Sequence, residues 1–187
     1  MSADKIKVAF LDRDGVINKE VNYLYKIEDF EYTENCIEGL KKIKELGYEI
    51  IIVTNQAGIA RGYYTEQQYQ KLTDWYLNDL KQQGIDILDV YHCPHHPEGK
   101  VNRYTKKCAC RKPMAGMIET AKNKYDIDMS ISILVGDKLS DIESGIKGGL
   151  FETACYLVNT GHKIARELKM KVFDDLIDVS NQLNLKE

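Results

Sequence analysis

Runs of mostly apolar residues alternate along this chain with longer amphipathic stretches. The clearest runs, at 7–11, 49–53 and 131–135, are typical of strands buried on both faces of a parallel sheet. Weaker strand patterns occur at 85–91 and 153–158. All five are short enough to be single strands and too short to be helices of ordinary length.

Between these runs, apolar residues recur every three or four positions, which predicts amphipathic helices. One such series stops before Gly47, a residue suited to ending a helix. Thr65 and Gln68 match a capping box at the start of a long helix that Gly84 would end. Further helices are predicted at 115–125, at 140–147 and in the tail. This alternation predicts an α/β fold with a doubly wound, mostly parallel sheet covered by helices on both faces.

Size and composition limit the classes of protein that the chain can represent. Its 187 residues are enough for one well-packed domain and too few for two, so we expect a single domain over 1–187. A net charge of −3 argues against a nucleic-acid partner. No apolar stretch approaches the roughly 20 residues that cross a bilayer, and the chain enters its first strand without a secretory signal. We therefore expect a cytoplasmic protein without a membrane partner.

Polar side chains follow three of the predicted strands at the point where each strand ends. Asp12 and Asp14 follow the first, Thr54 and Asn55 end the second, and Asp137 follows the run at 131–135. In an open parallel sheet these ends face the ligand crevice. Two carboxylates about 4 Å apart repel by about 4 kcal/mol at an effective dielectric near 20, so a site that keeps such a pair usually holds a cation or a shared proton. A lone D-x-D-G could equally be an Asp-rich turn.

Soft metal ligands are concentrated in the irregular segment 92–112. Three cysteines and a histidine there form the ligand set of a closed structural zinc site: Cys93, His95, Cys108 and Cys110. His92 and His96 are alternatives to His95, and ordinary buried cysteines are the alternative to a metal. Cys36 and Cys155 lie in predicted helix or strand and are interpreted as core residues. With no export signal, this cysteine usage favours a reducing compartment and Zn²⁺ over disulfides.

Taken together, the motifs resemble one family of phosphatases. D-R-D-G-V-I-N at 12–18 resembles the first motif of the haloacid-dehalogenase-like phosphatases. With T-N-Q-A-G-I-A-R-G, C-P-H-H-P, C-A-C-R-K-P and V-G-D-K-L-S-D, it resembles the D-glycero-D-manno-heptose-1,7-bisphosphate 7-phosphatase family. The resemblance runs from the first strand to about Gly145, and the histidinol-phosphate phosphatases share much of it, including the zinc loop.

The resemblance implies a role for each matching residue. Asp12 would attack phosphorus and form an aspartyl-phosphate, and Asp14 would act as acid and base. Thr54 and Lys112 would hold the phosphoryl oxygens. Mg²⁺ would be bound by Asp12, the backbone carbonyl of Asp14, and Asp137. Asp141 would anchor the metal loop rather than bind the metal.

Substrate contacts are implied around the same site. Arg111 and Lys138 are the candidates for binding the substrate away from the reacting phosphate, and Arg61 could be a substrate contact or a surface charge. Two loops are also implied to touch substrate, through Glu20, Val21, Asn22 and Tyr23 and through Asn55, Gln56 and Ala57. For 20–23 a surface turn is the alternative. The intervals after Asn18 and Asn55 are too short for the large cap domain that many of these phosphatases carry.

The resemblance implies a Mg²⁺-dependent phosphoric monoester hydrolase, expected to be a monomer, that acts on a small sugar bisphosphate. Its reaction would remove the 7-phosphate of the heptose bisphosphate in ADP- or GDP-heptose precursor synthesis, with lipopolysaccharide as one destination. Histidinol-phosphate phosphatase activity is the alternative within the enzyme class. From other classes, a non-catalytic zinc-stabilised binding module and a zinc-finger nucleic-acid binder are alternatives.

Overall fold

The computed structural model describes residues 5–162 and 170–185. In this part of the chain, six strands form one sheet in the order β3-β2-β1-β4-β5-β6, and every pairing is parallel. The order reverses between β1 and β4, which is the switch point where doubly wound sheets bind their ligands. The predicted fold class is therefore confirmed.

The strands are short, and helices connect most of them. The strands are β1 (Val8–Leu11), β2 (Glu49–Asn55), β3 (Asp89–Cys93), β4 (Ile133–Gly136), β5 (Cys155–Val158) and β6 (Val172–Phe173). The helices are α1 (Cys36–Glu45), α2 (Ala57–Arg61), α3 (Glu66–Gln82), α4 (Gly116–Lys124), α5 (Leu139–Lys147) and α6 (Leu176–Asn184). Short 3-10 turns lie at Ile27–Asp29, Asn102–Tyr104 and Glu152–Ala154.

Two apolar cores cover the two faces of the sheet, because successive residues of a strand point to opposite sides. Ala9 and Leu11 pack with α1, α3 and α6, and Val8 and Phe10 pack with α4 and α5. All four side chains are fully buried. The sheet is thereby sandwiched, and only the strand ends and their loops are left to form a site.

The structure corrects the predicted third strand. The strand expected at 85–91 begins at Asp89 and continues to Cys93. Ile85 is buried and Ile87 packs on the core, but the ladder with β2 starts only where Ile51 pairs with Asp89. Ile85 and Ile87 are therefore apolar because they pack on the core, and they are not part of the strand because they do not pair with β2. β6 has only two residues and was not predicted.

The remaining expectations concern the tail and the cap. The predicted helical tail corresponds to α6, and its part at 163–169 lies outside the described residues. Among residues 5–162 and 170–185, no inserted domain follows β1 or β2. None of the helices in the described ranges combines the length and apolarity needed to cross a membrane.

Candidate active site

The carboxylate of Asp12 lies at the end of β1 and is almost completely buried. Its Oδ1 accepts a 2.7 Å hydrogen bond from the backbone N–H of Arg13. Burial raises the pKa of Asp12 to about 6, although Lys112 beside it works in the opposite direction. Asp12 is therefore chiefly ionised at neutral pH, as a nucleophile must be.

Lys112 supplies the positive charge beside Asp12. Its Nζ lies 2.8 Å from Asp12 Oδ1 and 2.8 Å from Asp141 Oδ1, and it donates to the carbonyl of Val53 at 2.9 Å. Burial alone would lower the pKa of Lys112, but the two carboxylates raise it above its ordinary value. The ammonium therefore stays charged although its side chain is only 2% exposed.

Asn55 and Asp141 hold the loops that carry these groups. The Asn55 side chain pairs with both backbone polar groups of Lys112, accepting from its N–H at 3.0 Å and donating to its carbonyl at 3.1 Å. Asp141 Oδ2 accepts from the backbone N–H of Lys138 at 2.9 Å, at the start of α5. Asp141 thus anchors its loop as expected. The resemblance implies that Asn55 contacts substrate; the residue lines the cavity, and its side chain also positions Lys112.

Asp14 is held by donors on both carboxylate oxygens. Oδ1 accepts from Arg13 Nη2 at 2.6 Å and from Asn18 Nδ2 at 3.0 Å, and Oδ2 accepts from Gln56 Nε2 at 2.9 Å. Burial alone would raise the pKa of Asp14, but the Arg13 guanidinium and these hydrogen bonds hold it below its ordinary value. The Arg13 side chain is fully buried, a placement that no sequence motif indicated.

The side chain of Gln56 joins Asp14 to Thr54. Its Nε2 also lies 2.8 Å from Thr54 Oγ1 as a donor, and its Oε1 accepts a 2.5 Å hydrogen bond from the hydroxyl of Tyr64. The resemblance implies that Gln56 contacts substrate; in the structure its side chain contacts Asp14, Thr54 and Tyr64. Thr54 is fully buried beneath the site.

Three acidic side chains at this edge of the sheet fit a divalent cation. Asp12, Asp137 and Asp141 each place a carboxylate oxygen within 4.8 Å of the others. Burial raises the pKa of Asp137, the nearby charge of Asp12 raises it further, and Lys138 opposes both. Asp137 Oδ1 is buried and has no hydrogen-bond partner among the described residues. Such an unsatisfied oxygen beside two further carboxylates is a suitable ligand for a hard cation such as Mg²⁺.

A cavity of about 510 Å³ opens above these groups. The predicted site residues that line it are Asp12, Asp14, Glu20, Asn22, Tyr23, Asn55, Gln56, Ala57, Arg111, Lys112 and Lys138. Val21, which is 41% exposed, is not among the lining residues. Thr54 and Asp137 are buried and do not line the cavity either. Lining residues that were not predicted include Tyr64, His96, Ser140 and His162, and Arg61, left open above, also lines it.

Three positive side chains line the cavity: Arg61, Arg111 and Lys138. Arg61 Nη2 lies 3.2 Å from His96 Nε2, and Arg111 Nη1 is 3.4 Å from the carbonyl of His95. Lys138 Nζ lies 3.5 Å from Glu20 Oε2. The cavity thus combines an acidic floor with cationic walls, which suits a phosphorylated ligand.

The predicted zinc ligands converge in one cluster beside the cavity. The sulfur of Cys110 lies 3.1 Å from that of Cys93 and 3.4 Å from that of Cys108, and His95 Nδ1 lies 3.3 Å from it. These separations are far longer than a disulfide bond and somewhat shorter than the roughly 3.8 Å between sulfurs of a tetrahedral zinc site. His92 instead faces Glu66. The Cys₃His set can therefore hold Zn²⁺, directly before Arg111 and Lys112.

Comparison with known proteins agrees with this geometry. The family model described as polynucleotide kinase 3 phosphatase matches residues 7–171. A protein of Photorhabdus laumondii named D-glycero-alpha-D-manno-heptose-1,7-bisphosphate 7-phosphatase is 69% identical over 162 residues, covering 87% of each chain. A protein of Escherichia coli K12 named for the beta anomer is 39% identical over 165 residues, covering 88% of this chain and 85% of its own.

A solved structure with bound ligands is similar over its whole length. The D,D-heptose 1,7-bisphosphate phosphatase from B. bronchiseptica, complexed with magnesium and phosphate, superposes with a TM-score of 0.81 at 27% identity. The alignment covers 97% of this chain and 100% of that one. The chain is therefore a phosphoric monoester hydrolase of the haloacid-dehalogenase superfamily and belongs to the D-glycero-D-manno-heptose-1,7-bisphosphate 7-phosphatase family.

Proposed function

We propose that this enzyme removes the 7-phosphate of D-glycero-D-manno-heptose 1,7-bisphosphate through a phosphorylated Asp12. The single observation that carries the proposal is the position of Asp12, buried at the cavity floor with Lys112 Nζ 2.8 Å from its Oδ1. An ionised carboxylate beside a fixed cation is an activated nucleophile for a phosphate ester.

In the first step, a carboxylate oxygen of Asp12 bonds to phosphorus while the bond from phosphorus to the sugar oxygen breaks. Asp14, whose protonation is favoured once the negatively charged phosphate is bound beside it, donates a proton to that departing oxygen. In the second step, water attacks phosphorus, Asp14 takes up the proton of the water, and the bond to Asp12 breaks to release phosphate. The proton that Asp14 gives in one step is regained in the other, so the enzyme returns to its starting state.

The remaining groups stabilise charge at the phosphoryl group. Mg²⁺, when bound, supplies positive charge that offsets the repulsion between Asp12 and the phosphate. Asp12, the backbone carbonyl of Asp14, and Asp137 would hold it. Lys112 and Thr54 would bind the phosphoryl oxygens. Zn²⁺ in the Cys₃His cluster would hold the loop that positions Lys112.

The second phosphate of the substrate would bind to the cationic walls of the cavity. Arg111 and Lys138 both line it. The sugar would lie between them, against Asn22 and Tyr23 of the 20–23 loop. In this proposal the reacting phosphate binds at the floor of the cavity and the other phosphate binds at its rim.

The comparisons favour the α anomer of the 1-phosphate. The relative named for the alpha anomer is 69% identical to this chain, whereas those named for the beta anomer are 39–40% identical. We further propose that the chain is one domain, a monomer and cytoplasmic, and that its product enters ADP- or GDP-heptose synthesis. Histidinol phosphate is the rival substrate. It is disfavoured because it lacks the second phosphate that the cationic walls are suited to bind.

Parallel assays of both heptose bisphosphate anomers and of histidinol phosphate test this proposal. We expect the highest kcat/KM for the α anomer, with phosphate released from the 7-position and the 1-phosphate retained in the product. The Asp12→Asn variant should lose activity by several orders of magnitude with every substrate. A preference for histidinol phosphate, or release of the 1-phosphate, would overturn the assignment of substrate.

A further inference from the structure

The segment after β5 packs directly against the acidic floor of the site. The hydroxyl of Thr160 donates to the carbonyl of Gly15 at 2.5 Å, which ties this segment to the loop that follows Asp12. A Cβ built on Gly161 or on Gly15 would collide with Asp137 Oδ2. The carboxylate of Asp137 is therefore enclosed between two glycine backbones.

His162 binds the carboxylate oxygen that faces this segment. Its backbone N–H donates to Asp137 Oδ2 at 3.0 Å, and its Nδ1 lies 2.8 Å from the same oxygen. Because Oδ2 only accepts, the interaction requires the proton on Nδ1. The imidazole side chain is 49% exposed and lines the cavity, 3.8 Å from Glu20 Oε2.

The other oxygen of Asp137 has no such bond. Oδ1 is buried and without a hydrogen-bond partner among the described residues. Since a carboxylate group is rigid, two donors on Oδ2 also set the direction of Oδ1. Groups that hold a ligand in this way commonly change metal affinity by 10–100-fold when they are removed.

We propose that His162 is a positioning residue for divalent-cation binding, acting through Asp137. Thr160 and Gly161 support it by keeping the segment against Gly15. This inference rests on the proposed magnesium site and adds to it a contribution from the loop after β5. Glu20, Asp137 and His162 also place ligand atoms within 4.8 Å of one another. In this proposal the Nδ1–H of His162 is used to hold Asp137 Oδ2, so His162 orients a metal ligand and is not one itself.

Direct measurement of cation binding tests the inference. Mn²⁺ would be titrated into the full-length, zinc-loaded protein and the free ion followed by electron paramagnetic resonance. We expect His162→Ala to weaken Mn²⁺ binding by about 10-fold, near the lower limit for such residues because the backbone donor remains. His162→Asn should restore most of the affinity, since its Nδ2 occupies nearly the place of the histidine Nδ1. His96→Ala, on the same cavity but without contact to Asp137, is the matched control and should leave Mn²⁺ binding unchanged.

Kinetics separate positioning from substrate binding. In His162→Ala, the Mg²⁺ concentration for half-maximal rate should rise by about 10-fold, while kcat at saturating Mg²⁺ should stay close to that of the unaltered enzyme. Mn²⁺ affinity within twofold of the unaltered protein would overturn the inference, as would an Asn variant no better than Ala. A raised KM for the sugar phosphate with unchanged Mn²⁺ affinity would make His162 a substrate contact instead.

The Asp137→Asn variant distinguishes failure of the inference from failure of the metal site. If this variant loses Mn²⁺ binding and His162→Ala does not, the proposed metal site is supported and the proposed role of His162 is refuted. If Asp137→Asn binds Mn²⁺ like the unaltered protein, the proposed magnesium site itself is wrong.

Discussion

Replacing Lys112 by methionine removes the cation of the site while keeping a side chain of similar length. In the structure, its Nζ lies 2.8 Å from each of two buried carboxylates, Asp12 and Asp141, and donates to the carbonyl of Val53. The substitution would leave both carboxylates buried without it. Removing one partner of a buried ion pair typically costs about 3–5 kcal/mol of stability.

The carboxylates can relieve part of this cost by taking up a proton. The pKa of Asp12 is already raised by burial to about 6 and would rise further without Lys112, which lowers it. Each pKa unit corresponds to about 1.4 kcal/mol. A rise of about one unit would leave about half of the Asp12 carboxylates protonated at pH 7, and a rise of about two units would leave Asp12 largely protonated and unable to attack phosphorus.

Two measurements follow from Lys112→Met. At saturating Mg²⁺, kcat should fall by at least about 100-fold, the usual loss when a group that stabilises transition-state charge is removed. Urea unfolding at pH 7 should show a loss of about 3 kcal/mol. Because a raised carboxylate pKa makes the folded state bind protons more tightly, this loss should shrink as the pH falls through the raised pKa.

Lys112→Arg is the control, since it keeps the charge and changes the shape. It should retain more of the stability than Lys112→Met, although a guanidinium does not fit the same three acceptors. A methionine variant with kcat within tenfold of the unaltered enzyme and with unchanged unfolding free energy would refute the assigned role of Lys112.

Three further substitutions or treatments probe the rest of the site. Removing Zn²⁺ with a chelator should raise hydrogen exchange over 92–112 and lower kcat, because Lys112 follows the cluster, and added Zn²⁺ should restore both. Gly15→Ala should destabilise the protein by clearly more than Gly84→Ala: both glycines have positive φ, +84° and +82°, but a Cβ on Gly15 meets Asp137 and one on Gly84 meets nothing within 4 Å. Thermal unfolding compares them, with about 1 kcal/mol or more expected for the φ effect alone. Tyr64→Phe should lower kcat by about fivefold, the equivalent of one hydrogen bond, because it releases the Gln56 amide that contacts Asp14.

Each of these has a result that would count against it. Unchanged exchange and full activity in zinc-free protein would remove the structural role of the cluster. Equal losses for the two glycine variants would mean that Asp137 moves aside freely. A Tyr64→Phe variant with unaltered kcat would show that the hydrogen bond from Tyr64 is not required to position the Gln56 amide.

The sequence predicted those parts of the site that depend on strand ends and ligand spacing. Asp12, Thr54 and Asp137 follow from the rule that parallel strands present their carboxyl ends at one edge. The Cys₃His set follows from tight spacing of soft ligands, and His95 rather than His92 or His96 joins the thiols. Both signals are local in sequence, which is why they could be recognised without a structure.

The parts that were not predicted depend on contacts between distant segments. The buried guanidinium of Arg13 against Asp14 has no sequence signature, because arginine beside two aspartates looks like a solvated turn. His162 is 25 residues from Asp137, and only the order of β4 and β5 in the sheet brings them together. The start of β3 at Asp89 likewise depends on where its ladder with β2 begins.

Trapping of the phosphorylated enzyme tests the role of Asp12 most directly. Enzyme turning over the heptose bisphosphate with Mg²⁺ would be quenched with borohydride, which reduces an aspartyl-phosphate to homoserine. The protein would then be digested and its peptides analysed by mass spectrometry. We expect homoserine at position 12 in the unaltered enzyme and none in the Asp12→Asn variant. Homoserine at another aspartate, or full turnover by the Asp12→Asn variant, would contradict the proposed nucleophile.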